Sequence, residues 1–336
     1  MRVFSQEEGK KWMNALGRQA IPFFFLIDFD KKAPIVVPLS SLDKKDLRFN
    51  IEGFSNQKES IYDYSNDIVF AKEKITKSDY RIAFDKVMQQ IYYGNSYLSN
   101  LTFSTRIMTN LSLSEIYDAA NAPYKLWVKD HFVVFSPEPF VTIQDRRIST
   151  FPMKGTIDAN LPNAKALLEN NPKEISEHAT IVDLLRNDLS QVAKEVRVRR
   201  YRYFDKVDTI NGKLWQTSSE IEGKLPTDYQ NHLGDILFQL LPAGSICGAP
   251  KRKTLEIIRS VEIHNRGYYT GVFGVFDGVR LRSAVAIRFI EQIGEQLVFK
   301  SGGGITCQSQ LDEEYDELNQ KIYLPFVRQK YALPIA

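Results

Sequence analysis

Four glutamates carry the clearest chemical pattern in this chain. Glu174 and Glu177 lie three residues apart in a segment that reads as helix, and Glu314 and Glu317 repeat the spacing near the C-terminus. Residues three apart on a helix share a face, so each pair projects from one side of its element. Two such pairs meeting across a cleft would repel each other unless a cation lay between them. Oxygen-only ligation of that kind suits Mg2+, which keeps several waters and takes further oxygens from its substrate. The competing reading is a solvated helix face, with Lys321 four residues after Glu317 as an ion-pair partner.

Lys154 sits in STFPMKGTIDA, between strand-like residues and a Gly-Thr turn. Exposed, it is a turn residue; buried with a depressed pKa, it is a nucleophile or base. Glu138 stands between two prolines in FSPEPF, either as a turn residue or as a general acid. Gly302, Gly303 and Gly304 either let backbone N–H groups approach an anion or mark a bend. Arg288, between Ile287 and Phe289, points outward by strand alternation or inward as a fork for a carboxylate. The four histidines form no catalytic set by spacing, and structural or surface roles are expected of them. No Walker loop, nucleophile elbow or zinc signature is present.

The elements that must position these residues are legible in part. The first ~75 residues read as short strands and Lys/Asp-rich turns. Tyr80, Phe84, Val87, Met88 and Ile91 keep helical spacing from Ser78 until Gly94 stops the helix. Short strands follow from Tyr124 to Thr150, turning at Lys129-Asp130, Ser136-Pro137 and Asp145-Arg146. Pro172 opens a second helix with Asn171 as its cap and Ile175, Ala179, Val182, Leu185 and Leu189 as its buried stripe. A third helix begins near Pro250 and ends before Gly267. Strands Val272 to Phe276 and Leu281 to Glu291 join across Asp277-Gly278, a hairpin signal, and Gln296 to Lys300 runs into the glycines. A last helix carries Leu311, Tyr315, Leu318 and Ile322 on one face until Pro325. Hairpinned strands with helices between groups predict an α+β fold on antiparallel sheet, with no Rossmann pattern.

Composition narrows the class. With 336 residues, the chain exceeds the length at which single cores usually stop growing, which allows one large or two smaller domains. No linker, repeat or low-complexity tract marks a cut, so the sequence reads as one continuous domain. Net charge is +3, from 44 basic and 41 acidic side chains, which gives no case for nucleic acid or membrane as the main partner. The one basic run, Val196 to Tyr203, alternates Arg197 and Arg199 with Val196 and Val198, as a strand with one wet face does. Cys247 and Cys307 make neither a disulfide framework nor a metal spacing, so a reducing compartment is expected. The N-terminus lacks the apolar core of a signal peptide, and the run Phe23 to Ile27 is too short to span a bilayer. The expectation is a cytoplasmic protein.

Taken together, the segments FSPEPF, PMKGT, KEISEHATIVDLLRNDLSQVA, AGSICGAPKRKTLEII, NRGYYTGVFGVFD, AIR, SGGGI and EEYDELNQK resemble the chorismate-utilising enzymes. That family includes anthranilate synthase and aminodeoxychorismate synthase component I. The resemblance runs from about residue 78 to 325, leaving 1–77 as a divergent, short N-terminal region of a single catalytic domain spanning 1–336. It implies large antiparallel sheets packed together with helices outside. It also implies Mg2+ held by Glu177 and Glu317 with Glu174 and Glu314 in support, chorismate as substrate, and Glu138 as general acid.

Within the resemblance, lysine in PMKGT marks the enzymes that make 4-amino-4-deoxychorismate, where anthranilate synthases typically carry alanine. Lys154 is then the nucleophile. Arg288, Tyr269 and Gly302 to Gly304 would hold the second substrate carboxylate, with Thr156 and Ser245 as further substrate contacts. Leu98 stands where water-adding members carry a lysine base, which disfavours isochorismate and salicylate formation. The chain shows no glutaminase signature, so ammonia is expected from a separate glutamine amidotransferase subunit. Gln216 replaces a usual histidine and Cys247 a usual serine. No tryptophan-pocket motif is found, and tryptophan binding is not carried over. The alternatives are anthranilate synthase component I, or an inactive chorismate-binding homologue acting as a scaffold.

Overall fold

The structure, a computed structural model, describes residues 1–57, 68–209 and 212–325. It divides into two compact units. The first comprises Met1–Ser40, Glu138–Ser245 and Val272–Ala284; the second comprises Ser41–Pro137, Ile246–Gly271 and the described residues from Val285 onward. Each is built on one large antiparallel sheet bearing helices, so the fold is mixed α+β as expected.

The first unit's sheet runs in the order Met153–Asp158, Gly212–Lys224, Arg147–Thr150, Pro139–Gln144, Leu281–Val285, Val272–Phe276, Phe23–Ile27, Ile35–Pro38, with Lys194–Thr209 also paired to Gly212–Lys224. Phe23–Ile27 (FFFLI) is buried at every position between two neighbours. A strand covered on both faces reads as a continuous apolar run rather than an alternation, and each buried Phe contributes about 1.5–3 kcal/mol. The Asp277-Gly278 turn forms as expected, with Asp277 donating to the Arg280 carbonyl at 3.0 Å. On Lys194–Thr209 the basic run is met by acids across the ladder. Arg197 and Arg147 reach Glu222 at 2.6 and 3.1 Å, and Arg199 reaches Glu220 at 3.1 Å.

The second unit's sheet runs Gly248–Ala249, Leu98–Thr109, Gln296–Thr306, Phe289–Ile293, Phe132–Ser136, Tyr124–Val128, Leu47–Ile51, Phe54–Ser55, with Phe70–Lys72 paired to Leu98–Thr109. Helix Lys77–Tyr92 buries Tyr80, Phe84, Val87, Met88 and Ile91, the set its spacing predicts. They pack with Leu101, Phe103 and Ile305 of the sheet, Ile257 and Val261 of helix Lys251–Val261, and Leu318 of helix Leu311–Gln320. One apolar cluster thereby fixes three helices over two central strands. Among the described residues no helix is long and apolar enough to cross a membrane.

Three sequence expectations are corrected. A helix, Gln6–Arg18, occupies the N-terminal stretch that reads as strands and turns, started by a capping box between Ser5 and Glu8; residues 58–67 of that stretch lie outside the described residues. Leu281 to Glu291 is not one strand: Leu281–Val285 and Phe289–Ile293 belong to different sheets, broken where Arg288 takes a φ of 54°. The third helix, Lys251–Val261, begins just after Pro250 and ends before Gly267, as expected. In helix Pro172–Ser190 the buried face carries His178, Ile181, Val182, Leu184, Leu185, Asp188 and Leu189, while Ile175 and Ala179 are exposed. Two polar residues share that face, which turns it away from the purely apolar stripe.

Candidate active site

In the first unit, helix Pro172–Ser190 lies on strands Met153–Asp158, Lys194–Thr209 and Gly212–Lys224. Its start is fixed as the sequence predicts: Pro172 opens it, and the Asn171 side chain accepts from the N–H groups of Lys173 and Glu174 at 3.0 and 3.3 Å. Glu174 is thereby held in the first turn, where the helix dipole favours an anion. Glu177, one turn on, meets Lys154 from the neighbouring strand, with Nζ 2.8 Å from Oε2. Lys154 is 38% exposed and Glu177 11%, so the pair is half withdrawn from water.

Gly155 makes room for the other carboxylate. Its φ is +93°, and a Cβ there would stand 2.8 Å from Glu174 Oε2. The Gly that follows Lys154 thus serves a close approach between strand and helix. His178, between the strand and helix, is fully buried, and its Nε2 lies 2.7 Å from Ser219 Oγ. Burial pushes this imidazole down to about 4, keeping it neutral. Glu138 stands at the start of Pro139–Gln144, and its Oε1 accepts a 2.6 Å hydrogen bond from Ser245. Ser245 therefore touches the expected general acid. Thr156 is exposed and registers with Gln216 across the sheet.

In the second unit, Gly302, Gly303 and Gly304 do not bend the chain. They continue strand Gln296–Thr306, in register with Thr102, Leu101 and Asn100. The glutamate helix Leu311–Gln320 faces this run: a Cβ on Gly303 would lie 3.5 Å from Glu314 Oε2 and 3.7 Å from Lys321 Nζ. Glu314 is buried and accepts from Ser309 at 2.8 Å. Glu317, half exposed, pairs with Lys321 at 2.6 Å, and the same ammonium donates to the Gly302 carbonyl at 2.8 Å. Lys321, read from the sequence only as a partner for Glu317, is a cation set on the glycine strand. Its i,i+4 spacing was visible, but the strand beside it was not.

The C-terminus of that helix is gripped by two more cations. Lys72 donates to the carbonyls of Asn319 and Ile322 at 2.6 and 3.1 Å, and Arg288 donates to that of Lys321 at 2.9 Å. Cations are favoured at this end by the dipole. Burial pushes Lys72 below the ordinary lysine value. Arg288 also lies 5.1 Å over the Tyr323 ring, and its left-handed backbone takes it out of strand alternation. Tyr269 is buried with its ring edge toward Phe289, and burial raises its phenol.

The structure thus joins Lys154 to Glu177, Glu174 to Gly155 and Ser245 to Glu138 in one unit, and Glu314, Glu317 and Lys321 to the glycine strand in the other. Among the described residues no group of three or more His, Cys, Asp or Glu is close enough to hold a metal ion. The donors available in each unit are carboxylate oxygens, which fit a hard cation such as Mg2+ by chemistry.

Residues 38–326 match the family model described as chorismate binding enzyme. The chain is 53% identical over 312 residues to an uncharacterized PabA-like protein of Haemophilus influenzae, covering 93% of this chain and 94% of that one. It is 33% identical over 262 residues to an anthranilate synthase component 1 of Haloarcula marismortui, covering 73% and 52%. It is 30% identical over 263 residues to aminodeoxychorismate synthase component 1 of Bacillus subtilis, covering 74% and 55%. Among solved structures, MenF, the menaquinone-specific isochorismate synthase of Escherichia coli, superposes with a TM-score of 0.74 at 16% identity, covering 96% of this chain and 82% of that one. That likeness concerns the fold.

Proposed function

This chain belongs to the chorismate binding enzyme family, and from that premise we propose that it aminates chorismate to 4-amino-4-deoxychorismate. The observation that carries the reading is the 2.8 Å contact between Lys154 and Glu177. It directs the amine that distinguishes this reaction at the glutamate helix, instead of leaving it in a surface turn.

In the proposed reaction, Glu138 donates a proton to the departing C4 hydroxyl, which leaves as water, with Ser245 orienting the carboxyl group. Lys154, after its ammonium gives up a proton to solvent and leaves the ion pair with Glu177, attacks C2 as the free amine while the ring electrons shift toward C4, giving a covalent adduct. Ammonia then attacks C4, the electrons shift back, and the C2–N bond to Lys154 breaks. Glu174, Glu177, Glu314 and Glu317 would hold Mg2+. When bound, the ion would neutralise the substrate's ring carboxylate and draw electron density from the diene. Lys321, Arg288, Tyr269 and the Gly302–Gly304 backbone would receive the second carboxylate, and Thr156 would border the substrate. Ammonia would come from a glutamine amidotransferase subunit in the cytoplasm, a reading supported by relatives whose names carry "component 1".

The second reading is amination at C2 to anthranilate, favoured by the 33% identity to the Haloarcula enzyme. Incubation with chorismate, Mg2+ and ammonium, with products separated by chromatography and mass, decides between them. Aminodeoxychorismate is expected; anthranilate would replace the reading. Without ammonia, rapid quenching should show one added chorismate less one water, mapped to Lys154. Lys154→Ala should lose this adduct and keep its fold. An adduct formed equally well by the alanine variant would demote Lys154 to a positioning group.

A further inference from the structure

Away from these side chains, the second unit buries a complete ion pair that the proposed chemistry does not use. Arg266 and Glu262 are 2% and 3% exposed and meet through two bonds, Nη2 to Oε1 at 2.7 Å and Nε to Oε2 at 2.9 Å. Withdrawing both charges from water costs more than their attraction returns unless the remaining donors and acceptors are also satisfied. Here they are satisfied by backbone groups and one hydroxyl. Arg266 Nη1 donates to the Ile246 carbonyl at 2.9 Å, and Nη2 donates to the Asn100 carbonyl at 2.8 Å. Glu262 Oε1 accepts from both the N–H and the hydroxyl of Thr102, each at 2.9 Å.

Asn100 and Thr102 are the register partners of Gly304 and Gly302. A second tie comes from the glycine strand itself: Lys300, 4% exposed, donates to the carbonyls of Asn265 and Arg266 at 2.8 and 3.1 Å. Three successive glycines have no side chains to pack and a wide choice of backbone conformations, so their path must be imposed from outside. The loop from Glu262 to Arg266 grips the strand opposite them and the residue two before them.

We infer that Arg266 and Glu262 are positioning residues that set the path of the Gly302–Gly304 backbone and, through it, the affinity for the anionic substrate. The inference rests on the glycine strand receiving a chorismate carboxylate, as proposed above. A buried pair kept only for stability would be replaceable, since apolar substitutes of like volume are often as stable. One kept for position should act on substrate affinity.

The test is steady-state kinetics of the whole chain with chorismate, Mg2+ and ammonium, beside thermal melting. Arg266→Lys keeps the charge and loses the fork; Glu262→Gln keeps the shape and loses the charge. Both should raise KM for chorismate about tenfold with kcat within about twofold, the signature of lost ground-state binding. Thr102→Val leaves the ion pair in place and removes one tie. It should raise KM in the same direction, and Thr102→Ser should restore it, which keeps the test decisive if the charge variants do not fold. Wild-type KM in Thr102→Val, or variants that melt early with KM unchanged, would overturn the inference alone. A wild-type protein that neither binds nor converts chorismate would overturn the proposed function and this inference with it.

Discussion

The two glutamate helices carry one Glu-x-x-Glu spacing and restrain it by different means. Helix Pro172–Ser190 is capped by a side chain, and its Glu177 is held by Lys154 from a separate strand. Helix Leu311–Gln320 has no side-chain cap at Gln310; its Glu317 is held by Lys321 just past its own last turn. The first helix therefore couples its acids to the Lys154 amine through tertiary structure. The second couples its acids to a backbone run of glycines through a lysine that local spacing supplies. Equal spacing thus meets two different partners, and under the proposed function the first lies next to bond-making and the second next to anion binding.

If both helices hold the metal, the comparison breaks down at the level of turnover, and both must matter equally. Glu177→Gln and Glu317→Gln should each lower turnover by about a hundredfold or more, because a displaced ion loses the orientation it provides. Melting curves should show both variants folded, and excess chelator should abolish wild-type activity until Mg2+ is restored. Full activity in chelator, or a loss confined to Glu177→Gln, would leave the second helix with anion binding only.

The same contrast explains what the sequence could show. Glu317 and Lys321 sit four apart, so their pairing follows from helical geometry alone. The Lys154–Glu177 contact depends on how a strand registers under a helix, which no spacing rule supplies. Tyr80 to Ile91 was readable because one apolar face meets one apolar cluster. The buried face of Pro172–Ser190 escapes an apolar pattern because His178 and Asp188 are polar yet buried. The break at Arg288 was hidden because apolar residues continue through it and a non-glycine adopts the left-handed conformation. The N-terminal capping box, by contrast, is legible in the spacing of Ser5 and Glu8.

A smaller effect sharpens the comparison between units through a buried histidine, His178, and a partly buried one, His264. His178 in the first and His264 in the second are both pushed down to about 4, chiefly by burial. Around His264, Glu262 acts to raise it while Lys300 and Arg266 lower it. An unfolded histidine titrates near 6.5, so between about 6.5 and 4 the unfolded chain binds more protons. Stability is therefore complete above 6.5 and falls as pH drops through this window, by up to about 1.4 kcal/mol per pH unit for each histidine. Denaturant melts in chelator across this range should show the slope, and His178→Gln and His264→Gln should each remove about half. A flat profile would show that neither imidazole is kept neutral by the fold.

The smallest expected effect tests the contrast itself. Double-mutant cycles pairing Lys154→Met with Glu177→Gln, and Lys321→Met with Glu317→Gln, isolate each ion pair from the other losses of its single variants. The Glu317–Lys321 pair has side chains 51% and 27% exposed and a helical i,i+4 spacing, so its coupling should be about 0.3–0.5 kcal/mol. In the Lys154–Glu177 pair the lysine is 38% exposed, which screens it, but the carboxylate is only 11% exposed. Its coupling should be the larger of the two and still below about 1 kcal/mol. Lys321→Met also forfeits the bond to the Gly302 carbonyl. That loss occurs whether or not Glu317 is present, so it cancels from the cycle. High salt should shrink the coupling at Glu317–Lys321 more, since exposed charges are screened first. Equal couplings, or a larger one at Glu317–Lys321, would mean that Lys154 is not anchored by the first helix. The distinction between a helix serving the amine and a helix serving the glycines would then fail.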